Sequence, residues 1–238
     1  MLDNINIENV LFLDIETVPA WATHENMPPQ MQDLWAKKTE FRRQDKFTPE
    51  EFYNNAAIFA EFGKIVCISV GYFSIANSVK TLRIKSFSGH NEKEVLEQFS
   101  QLLGSHFSKR ESTLCAHNGK EFDFPYIARR MLVNNVKLPV LLDIAGKKPW
   151  EVNLLDTMEL WKFGDHKHYT SLNLLANVMG VPSPKDDIDG SMVGNVYWQE
   201  GDLPRIVSYC QKDVITIAQL FMRYKGEVLI NTDNIVLC

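Results

Sequence analysis

The apolar positions of the chain fall into short runs that predict β-strands. Val10–Ile15 is an apolar run with Asp14 near its end and Glu16 directly after it. Ile65–Phe73 and Thr81–Phe87 follow as two further runs bounded by turn residues. Thr113–Ala116 and Val152–Leu155 predict two short strands later in the chain. The sequence therefore predicts five strands, with the first three adjacent in the chain.

Helical periodicity and capping residues predict helices between and after the later strands. The first predicted helix has Asn91 as its N-cap, runs to about Leu103 and ends at Gly104. The next is predicted around Asp123–Val133, and a helical turn follows the last short strand through Trp161. Two more are predicted over Ser171–Met179, stopped by Gly180 and Pro182, and over Leu203–Lys225, with Pro204 in the first turn. Three adjacent strands followed by alternating helices and strands indicate a mixed α/β sheet flanked by helices.

A long segment, residues 18–62, separates the first two predicted strands. It exceeds the length of a hairpin loop, so we expect it to hold structure of its own. Thr48 and Glu51 have the spacing of a capping box, with Pro49 at the first helical position, and predict a helix from Pro49 to about Phe62. Pro28 to about Arg43 predicts another helix. The segment is thus interpreted as a helical insertion between strands 1 and 2.

Composition and length set the class of protein. The chain has 238 residues, 45% hydrophobic and 23% charged, which favours one globular domain over residues 1–238 and leaves no room for a polymerase on the same chain. The four cysteines show no C-x-x-C spacing, and the first three, Cys67, Cys115 and Cys210, fall in predicted strands or a helix and are interpreted as buried free thiols. No signal peptide and no apolar run of about 18 residues is seen, so we expect a cytoplasmic protein without membrane contact.

Acidic residues and one tyrosine in three separated segments are the candidate chemistry. Asp14 and Glu16 are two apart on the first strand, so both carboxylates project from one face. Tyr209 and Asp213 are four apart on a helix and share its face. With Asp123, these acids form a set of hard oxygen donors typical of Mg²⁺ or Mn²⁺ sites.

The three segments match a known pattern. D-x-E on a first strand, N-x(3)-F-D in HNGKEFDFPY and Y-x(3)-D in YCQKDV resemble the Exo I, Exo II and Exo III motifs of DEDDy exonucleases. The strings GKIVCISVGYF, AHNGKEFDFPYIARRM, LLDTMELWKFG and YCQKDVITIAQLF resemble the 3′–5′ proofreading domain of family B DNA polymerases. They resemble more closely a group of stand-alone bacterial proteins predicted to be exonucleases related to it. Each motif alone is weak, whereas three in order are specific.

The resemblance implies a ribonuclease H-like, five-stranded sheet with the second strand antiparallel to the others. It implies a metal-dependent 3′–5′ exonuclease that releases nucleoside monophosphates, with two Mg²⁺ or Mn²⁺ ions on Asp14, Glu16, Asp123 and Asp213. Tyr209 would orient the attacking water. Thr17 and Asn118 are weaker candidates for substrate contacts, and they complete the predicted site residues.

Each site residue also has a purely structural interpretation. Asp14 and Glu16 could be solvated acids at a strand end, Asp123 could be favoured only by the dipole of its helix, and Tyr209 could be a core tyrosine. His117 has no spacing that makes it a general base. His166 and His168 lack cysteine partners for zinc, so the Lys162–His168 segment is interpreted as a polar loop and alternatively as a basic rim for phosphates.

The expected partner is nucleic acid, DNA in preference to RNA, with a separate DNA polymerase or repair protein as a further candidate. An RNA 3′-trimming enzyme with the same site and a non-catalytic nucleic-acid-binding protein on an exonuclease fold are the alternatives. The net charge of −5 is unusual for binding a polyanion, and bound cations would offset the acidic cluster. We expect residues 18–62 to handle the substrate strand, because they combine aromatic and basic side chains: Trp21, Trp35, Phe41, Phe47, Phe52, Tyr53 and Phe59, with Lys37, Lys38, Arg42, Arg43 and Lys46.

Overall fold

The centre of the molecule is a six-stranded mixed sheet. The computed structural model describes residues 2–165, 169–182 and 188–238. The strands are β1 (Val10–Pro19), β2 (Gly63–Ala76), β3 (Val79–Ser88), β4 (Thr113–Ala116), β5 (Leu154–Asp156) and β6 (Ile235–Leu237), in the order β5-β4-β1-β2-β3-β6. Strand β2 runs antiparallel to β1 and β3, while β4 is parallel to β1 and β5. The predicted ribonuclease H-like class is confirmed.

The predicted number of strands is corrected from five to six by the last residues of the chain. Strand β6 pairs in parallel with β3, with Leu82 opposite Ile235. Strand β3 would otherwise be an edge with unpaired backbone groups, and β6 covers part of it. Three residues give too short a pattern for a strand to be read from sequence.

Seven α-helices surround the sheet in the described part of the chain. They are α1 (Pro29–Arg43), α2 (Glu92–His106), α3 (Asp123–Val133), α4 (Thr157–Lys162), α5 (Leu172–Val178), α6 (Val193–Asn195, continued by a π-helical turn over Val196–Glu200) and α7 (Leu203–Lys225). Helices α3 and α7 have the predicted bounds. Helix α2 passes through Gly104, where an end was predicted, and finishes at His106. None of the described helices is both long and apolar enough to cross a bilayer.

The two faces of β1 belong to different cores. Leu11, Leu13 and Ile15 pack into the cluster that also contains Ile127 of α3. Phe12 points to the other face, where its ring lies edge-on to Phe221 of α7 at 5.3 Å between centroids. Alternation with a period of two therefore directs the even-numbered residues of β1 towards α7.

The insertion after β1 has one predicted helix and lacks the other. Helix α1 forms as expected, and the capping box closes, with the Thr48 N–H donating to Glu51 Oε2 at 2.8 Å. The predicted helix from Pro49 to Phe62 is wrong, because the segment forms turns and a 3₁₀-helix over Tyr53–Ile58. Its buried residues, Tyr53, Ala56, Phe59 and Phe62, recur every third position, which suits three residues per turn better than 3.6.

The aromatic residues of the insertion mostly form its own core. Trp35 is fully buried and its ring contacts those of Phe52, Tyr53, Phe59 and Phe62. The Trp35 Nε1–H donates to the Pro49 carbonyl at 2.8 Å. Internal packing thus accounts for most of the aromatic residues that were predicted to contact the substrate strand.

Candidate active site

Residues of β1 and α7 meet at the carboxyl end of β1. The Cys210 thiol of α7 donates to the Asp14 carbonyl at 3.4 Å and lies 3.5 Å from Asp14 Oδ2. Oxygen atoms of Asp14 and Glu16 and the sulfur of Cys210 all lie within 4.8 Å of one another. Asp213 is on the same helix and is the strongest charged neighbour of both Asp14 and Glu16. The fold therefore brings together two of the three predicted segments.

Asp123 joins the cluster from the opposite face of the sheet. It is the first residue of α3, is 3% exposed, and its Oδ1 accepts a hydrogen bond from the Ile15 N–H at 3.2 Å. Strands β1 and β4 are parallel, so the connection from β4 to α3 emerges at the end of the sheet where β1 carries its acids. The third segment is thus tied by its carboxylate to the strand between Asp14 and Glu16.

A β-bulge marks the end of the acidic stretch. Glu16 pairs with Cys67 on β2, whereas Thr17 pairs with Ile65, so Val66 is an extra residue on β2. Bulges bend a strand and increase its twist, and they often lie beside functional sites. Beyond the bulge Thr17 is 9% exposed and lies close to Tyr126, whose hydroxyl donates to the Ala57 carbonyl at 2.8 Å.

The carboxylates are held in an environment that disfavours their charge. Burial is the largest cause that raises the pKa of Asp14 and of Glu16, and the negative charge of Asp213 adds to it. Burial also raises the pKa of Asp123 to about 7, against the opposing effect of its own backbone N–H and that of Ile15. In the described part of the chain no Lys or Arg forms an ion pair with Asp14, Glu16 or Asp123. Among the described residues, these three carboxylates therefore have no compensating cation.

The Tyr209 hydroxyl faces this cluster. The side chain is half-buried and hydrogen-bonds Asp213, one turn further along α7. Burial raises the pKa of Tyr209, and the negative charges of Asp213, Glu16 and Asp14 raise it further. The hydroxyl therefore keeps its proton at neutral pH and can donate or accept a hydrogen bond without acting as a base.

Asp156 is a site-supporting residue that sequence reasoning missed. It is 2% exposed, and its carboxylate accepts the N–H groups of Asn118 at 2.9 Å and Lys120 at 3.1 Å. The same carboxylate caps α4 by accepting from Met158 and Glu159. Asp156 thus holds the loop between β4 and α3 that leads to Asp123. An acid before a helical turn is an N-cap signal, but its reach to the distant loop is a tertiary contact.

Asn118 and His117 differ in what their side chains contact. The Asn118 Oδ1 is buried and has no hydrogen-bond partner within the described chain, and the residue has a φ of 60°. The His117 ring bonds the Thr157 hydroxyl and the Thr170 carbonyl, both at 2.9 Å, and burial lowers its pKa. His117 therefore stabilises the loop, whereas Asn118 has an acceptor available to a ligand.

The donor set fits hard divalent cations. Carboxylate oxygens are the ligands that Mg²⁺ and Mn²⁺ prefer. Burial raises the pKa of Cys210, so this sulfur remains a thiol that donates to Asp14 and does not compete as a thiolate ligand. The predicted interpretation of Cys67, Cys115 and Cys210 as buried free thiols is confirmed. His166, Lys167 and His168, the alternative basic rim, lie outside the described residues.

The fold is ribonuclease H-like. The chain is similar to the family B DNA polymerase from the hyperthermophilic archaeon Pyrobaculum calidifontis, with a TM-score of 0.50 and 15% identity over 90% of this chain and 24% of the polymerase. It thus spans about a quarter of that polymerase's length.

The chain belongs to the family of predicted 3′–5′ exonucleases related to the exonuclease domain of PolB, which it matches over residues 58–229. The matched range contains Asp123, Tyr209 and Asp213 and begins after Asp14 and Glu16. The proposed resemblance is confirmed.

Proposed function

We propose that the protein is a metal-dependent 3′–5′ exonuclease that releases nucleoside monophosphates from the 3′ end of DNA, with single strands preferred. The observation that carries this proposal is the cluster of Asp14, Glu16 and Asp123 beside Asp213. Glu16 and Asp123 are buried, Asp14 is half-buried, and none of these three forms an ion pair with a described Lys or Arg. Buried like charges are stable only when a cation or a proton compensates them.

Asp14, Glu16, Asp123 and Asp213 would hold two Mg²⁺ or Mn²⁺ ions. When bound, such a pair of cations activates the attacking water and stabilises the charge on the leaving 3′ oxygen. Asp14 and Glu16 present their oxygens from one strand face, and the Ile15 N–H fixes the orientation of the Asp123 carboxylate from the other side. The chain's contribution is a rigid set of oxygen donors from three elements.

Tyr209 would position the attacking water. Its hydroxyl is anchored to Asp213 and keeps its proton, so it can hydrogen-bond a water molecule beside the scissile phosphate. Asn118 is the second candidate for direct substrate contact, because its buried Oδ1 lacks a partner within the described chain. Thr17 follows Glu16 on β1 and is the third candidate for substrate contact, with 9% of its surface exposed.

In the insertion, fewer residues are exposed for contact with a substrate strand than the sequence predicted. Phe41 is 90% exposed and Phe47 is 51% exposed, while the other aromatics pack inside. Arg43 bonds Thr39 and the Phe47 and Ala36 carbonyls, and Lys38 contacts Glu61, so both have structural tasks. We propose that exposed cations here, Lys37, Arg42 and Lys46, contact phosphates beside Phe41.

A nuclease assay on end-labelled substrates tests the proposed function. Single-stranded DNA, duplex DNA and RNA of one sequence are incubated with Mg²⁺, with Mn²⁺ and with EDTA. We expect single-nucleotide products from single-stranded DNA with either metal and none with EDTA. Faster digestion of RNA would make the protein an RNA-trimming enzyme, and stable binding without products under all conditions would support the non-catalytic alternative.

The polarity of degradation is tested with blocked ends. A bulky group on the 3′ hydroxyl should protect the strand, and the same group at the 5′ end should not. Efficient cutting of a closed single-stranded circle would show an endonuclease and contradict the proposal.

A further inference from the structure

A concave surface lies at the amino ends of β4 and β5, away from the acidic cluster at their carboxyl ends. It is a cavity of about 520 Å³ between the last turn of α2, the 137–147 loop and the segment that enters β5. The loop before β4 is joined to β5 here, since Asn153 Nδ2 donates to the Ser112 carbonyl at 2.6 Å. The cavity and the acidic cluster therefore lie at opposite ends of β4.

The floor of this cavity is aliphatic and continuous with the main core. Leu138, Leu141, Ile144 and Val152 are half-buried and pack against the buried cluster that contains Leu103. Val140, at the margin, is 83% exposed. A core that opens to solvent in this way presents apolar area that a bound apolar side chain would cover.

The rim of the cavity is positively charged. Lys109, Arg110, Lys137 and Lys147 line it with exposed side chains, and none of them has an ion-pair partner among the described residues. Glu151 is the one acid among the described lining residues, and its Oε2 accepts the Lys148 N–H. In a chain of net charge −5, four cations around one apolar cavity form a local field of the opposite sign.

We propose that this cavity, called the groove below, binds an acidic peptide segment of a partner protein. The peptide would also carry bulky apolar side chains. The carboxylates would meet the four cations of the rim, and the apolar side chains would fill the aliphatic floor. Nucleic acid suits the groove less well, because unpaired bases stack on exposed aromatic faces and Phe107, which lines the cavity, is 6% exposed. The site is independent of the metal ligands and does not rest on the proposed function.

Gly104 provides a way to close the groove without disturbing the core. It lines the cavity from within α2, and a Cβ added there would meet no atom within 4 Å. Gly104→Phe should place a ring in the groove, while Gly104→Ala adds only a methyl group to a helical position. The two variants differ in groove occupancy and share the loss of the glycine.

Fluorescence anisotropy with a defined peptide tests the proposal. The probe is a fluorescein-labelled octapeptide of four aspartates followed by Leu-Leu-Phe-Leu, titrated with the full chain. Two control peptides replace the aspartates by asparagine or the apolar residues by serine. We expect each control peptide to bind at least tenfold more weakly than the probe.

Variants then locate the binding. Gly104→Phe and the double change Lys109→Glu with Lys137→Glu should each weaken probe binding at least tenfold. Gly104→Ala and Lys93→Glu, the latter on the same helix outside the groove, should bind as the wild type does. Thermal melting confirms that each variant is folded.

Three results would overturn the proposal: equal binding of all three peptides, probe binding that neither variant weakens, or charge reversal that weakens binding of a single-stranded oligonucleotide and not of the peptide. The last result would make the groove a nucleic-acid surface.

Discussion

Each end of β4 lies beside a cluster of charges of one sign, buried acids at the carboxyl end and exposed cations at the amino end. At the carboxyl end, acids are gathered in the interior, and burial raises the pKa of Asp14, Glu16 and Asp123. At the amino end, four cations surround an open groove and remain in water. Two unit charges 4 Å apart interact by about 1 kcal/mol in water and about 4 kcal/mol at a typical protein surface. Burial therefore decides which cluster needs a compensating cation or proton, since exposed charges are screened by water.

The largest expected effect is the loss of nuclease activity when an acid at the carboxyl end of β4 is changed, with no loss when a cation at the amino end is changed. Asp14→Asn keeps the shape of the side chain and removes its charge, so the rate of DNA digestion should fall by roughly 10³-fold or more, since the proposed metal chemistry is worth several kcal/mol. The measurement is the initial rate on 5′-labelled single-stranded DNA with Mg²⁺ and with Mn²⁺.

The matched control for Asp14→Asn is Lys137→Glu at the other end of the strand, which should digest DNA at the wild-type rate. Wild-type activity of Asp14→Asn in a metal-dependent assay would show that the catalytic acids are elsewhere.

Tyr209→Phe removes one hydroxyl and should slow turnover less than loss of a carboxylate does. We expect kcat to fall about 10- to 100-fold, because a misplaced nucleophile costs up to about 10² in rate. Binding of DNA in the presence of Ca²⁺ should be unchanged. The opposite pattern, normal kcat with weaker DNA binding, would assign Tyr209 to substrate contact.

The buried acids should also make the free energy of unfolding depend on pH in the absence of metal. Asp123 has its pKa raised to about 7, so the folded protein binds a proton that the unfolded chain releases near pH 4. This contribution to stability is complete below about pH 4 and is lost as pH rises through about 7. In EDTA, the free energy of unfolding by urea should therefore fall between pH 5 and pH 8.

Two comparisons isolate this effect. Asp123→Asn should flatten the fall in EDTA, and Mn²⁺ should stabilise the wild type more at pH 8 than at pH 5, because a cation replaces the protons. An identical pH dependence for wild type and Asp123→Asn would mean that protonation of the Asp123 carboxyl does not contribute to the pH dependence of stability.

The smallest expected effect concerns the exposed cations of the insertion. Replacing Lys37, Arg42 and Lys46 by Ser should weaken single-strand binding severalfold and reduce the salt slope by up to about 2, at about 0.7 per phosphate contact. Metal affinity should not change. Lys93→Ser is the control, and equal salt slopes for both proteins would make the insertion a structural cover.

The elements that could be predicted are those with local signals at both ends. Helix α7 has Pro204 in its first turn and ends at Gly226, whose φ is 72°, and its predicted bounds agree with the structure. Asp14 and Glu16 share a face because alternation along a strand is a local property. Local sequence signals therefore predicted the strand and the helices on which the candidate site residues lie.

The features that could not be predicted depend on distant partners. Strand β6 pairs with the edge of β3 that would otherwise be free. The segment after Pro49 includes a 3₁₀-helix, and its residues Tyr53 and Phe59 contact the ring of Trp35, which is distant in the sequence. Asp156 looks like an ordinary helix cap until its second pair of N–H donors is seen. The apolar groove beside Gly104 arises only when α2, the 137–147 loop and β5 come together.

The four bonds to the Asp156 carboxylate also have a consequence for amide exchange. One side chain protects the N–H groups of Asn118, Lys120, Met158 and Glu159, which belong to two separate segments of the chain. These four hydrogens should exchange with solvent as one group, since any opening that frees the carboxylate exposes all of them. The loop that leads to Asp123 and the start of α4 would then open as a single cooperative unit, and local fluctuation at α4 would reach the acidic cluster through one residue.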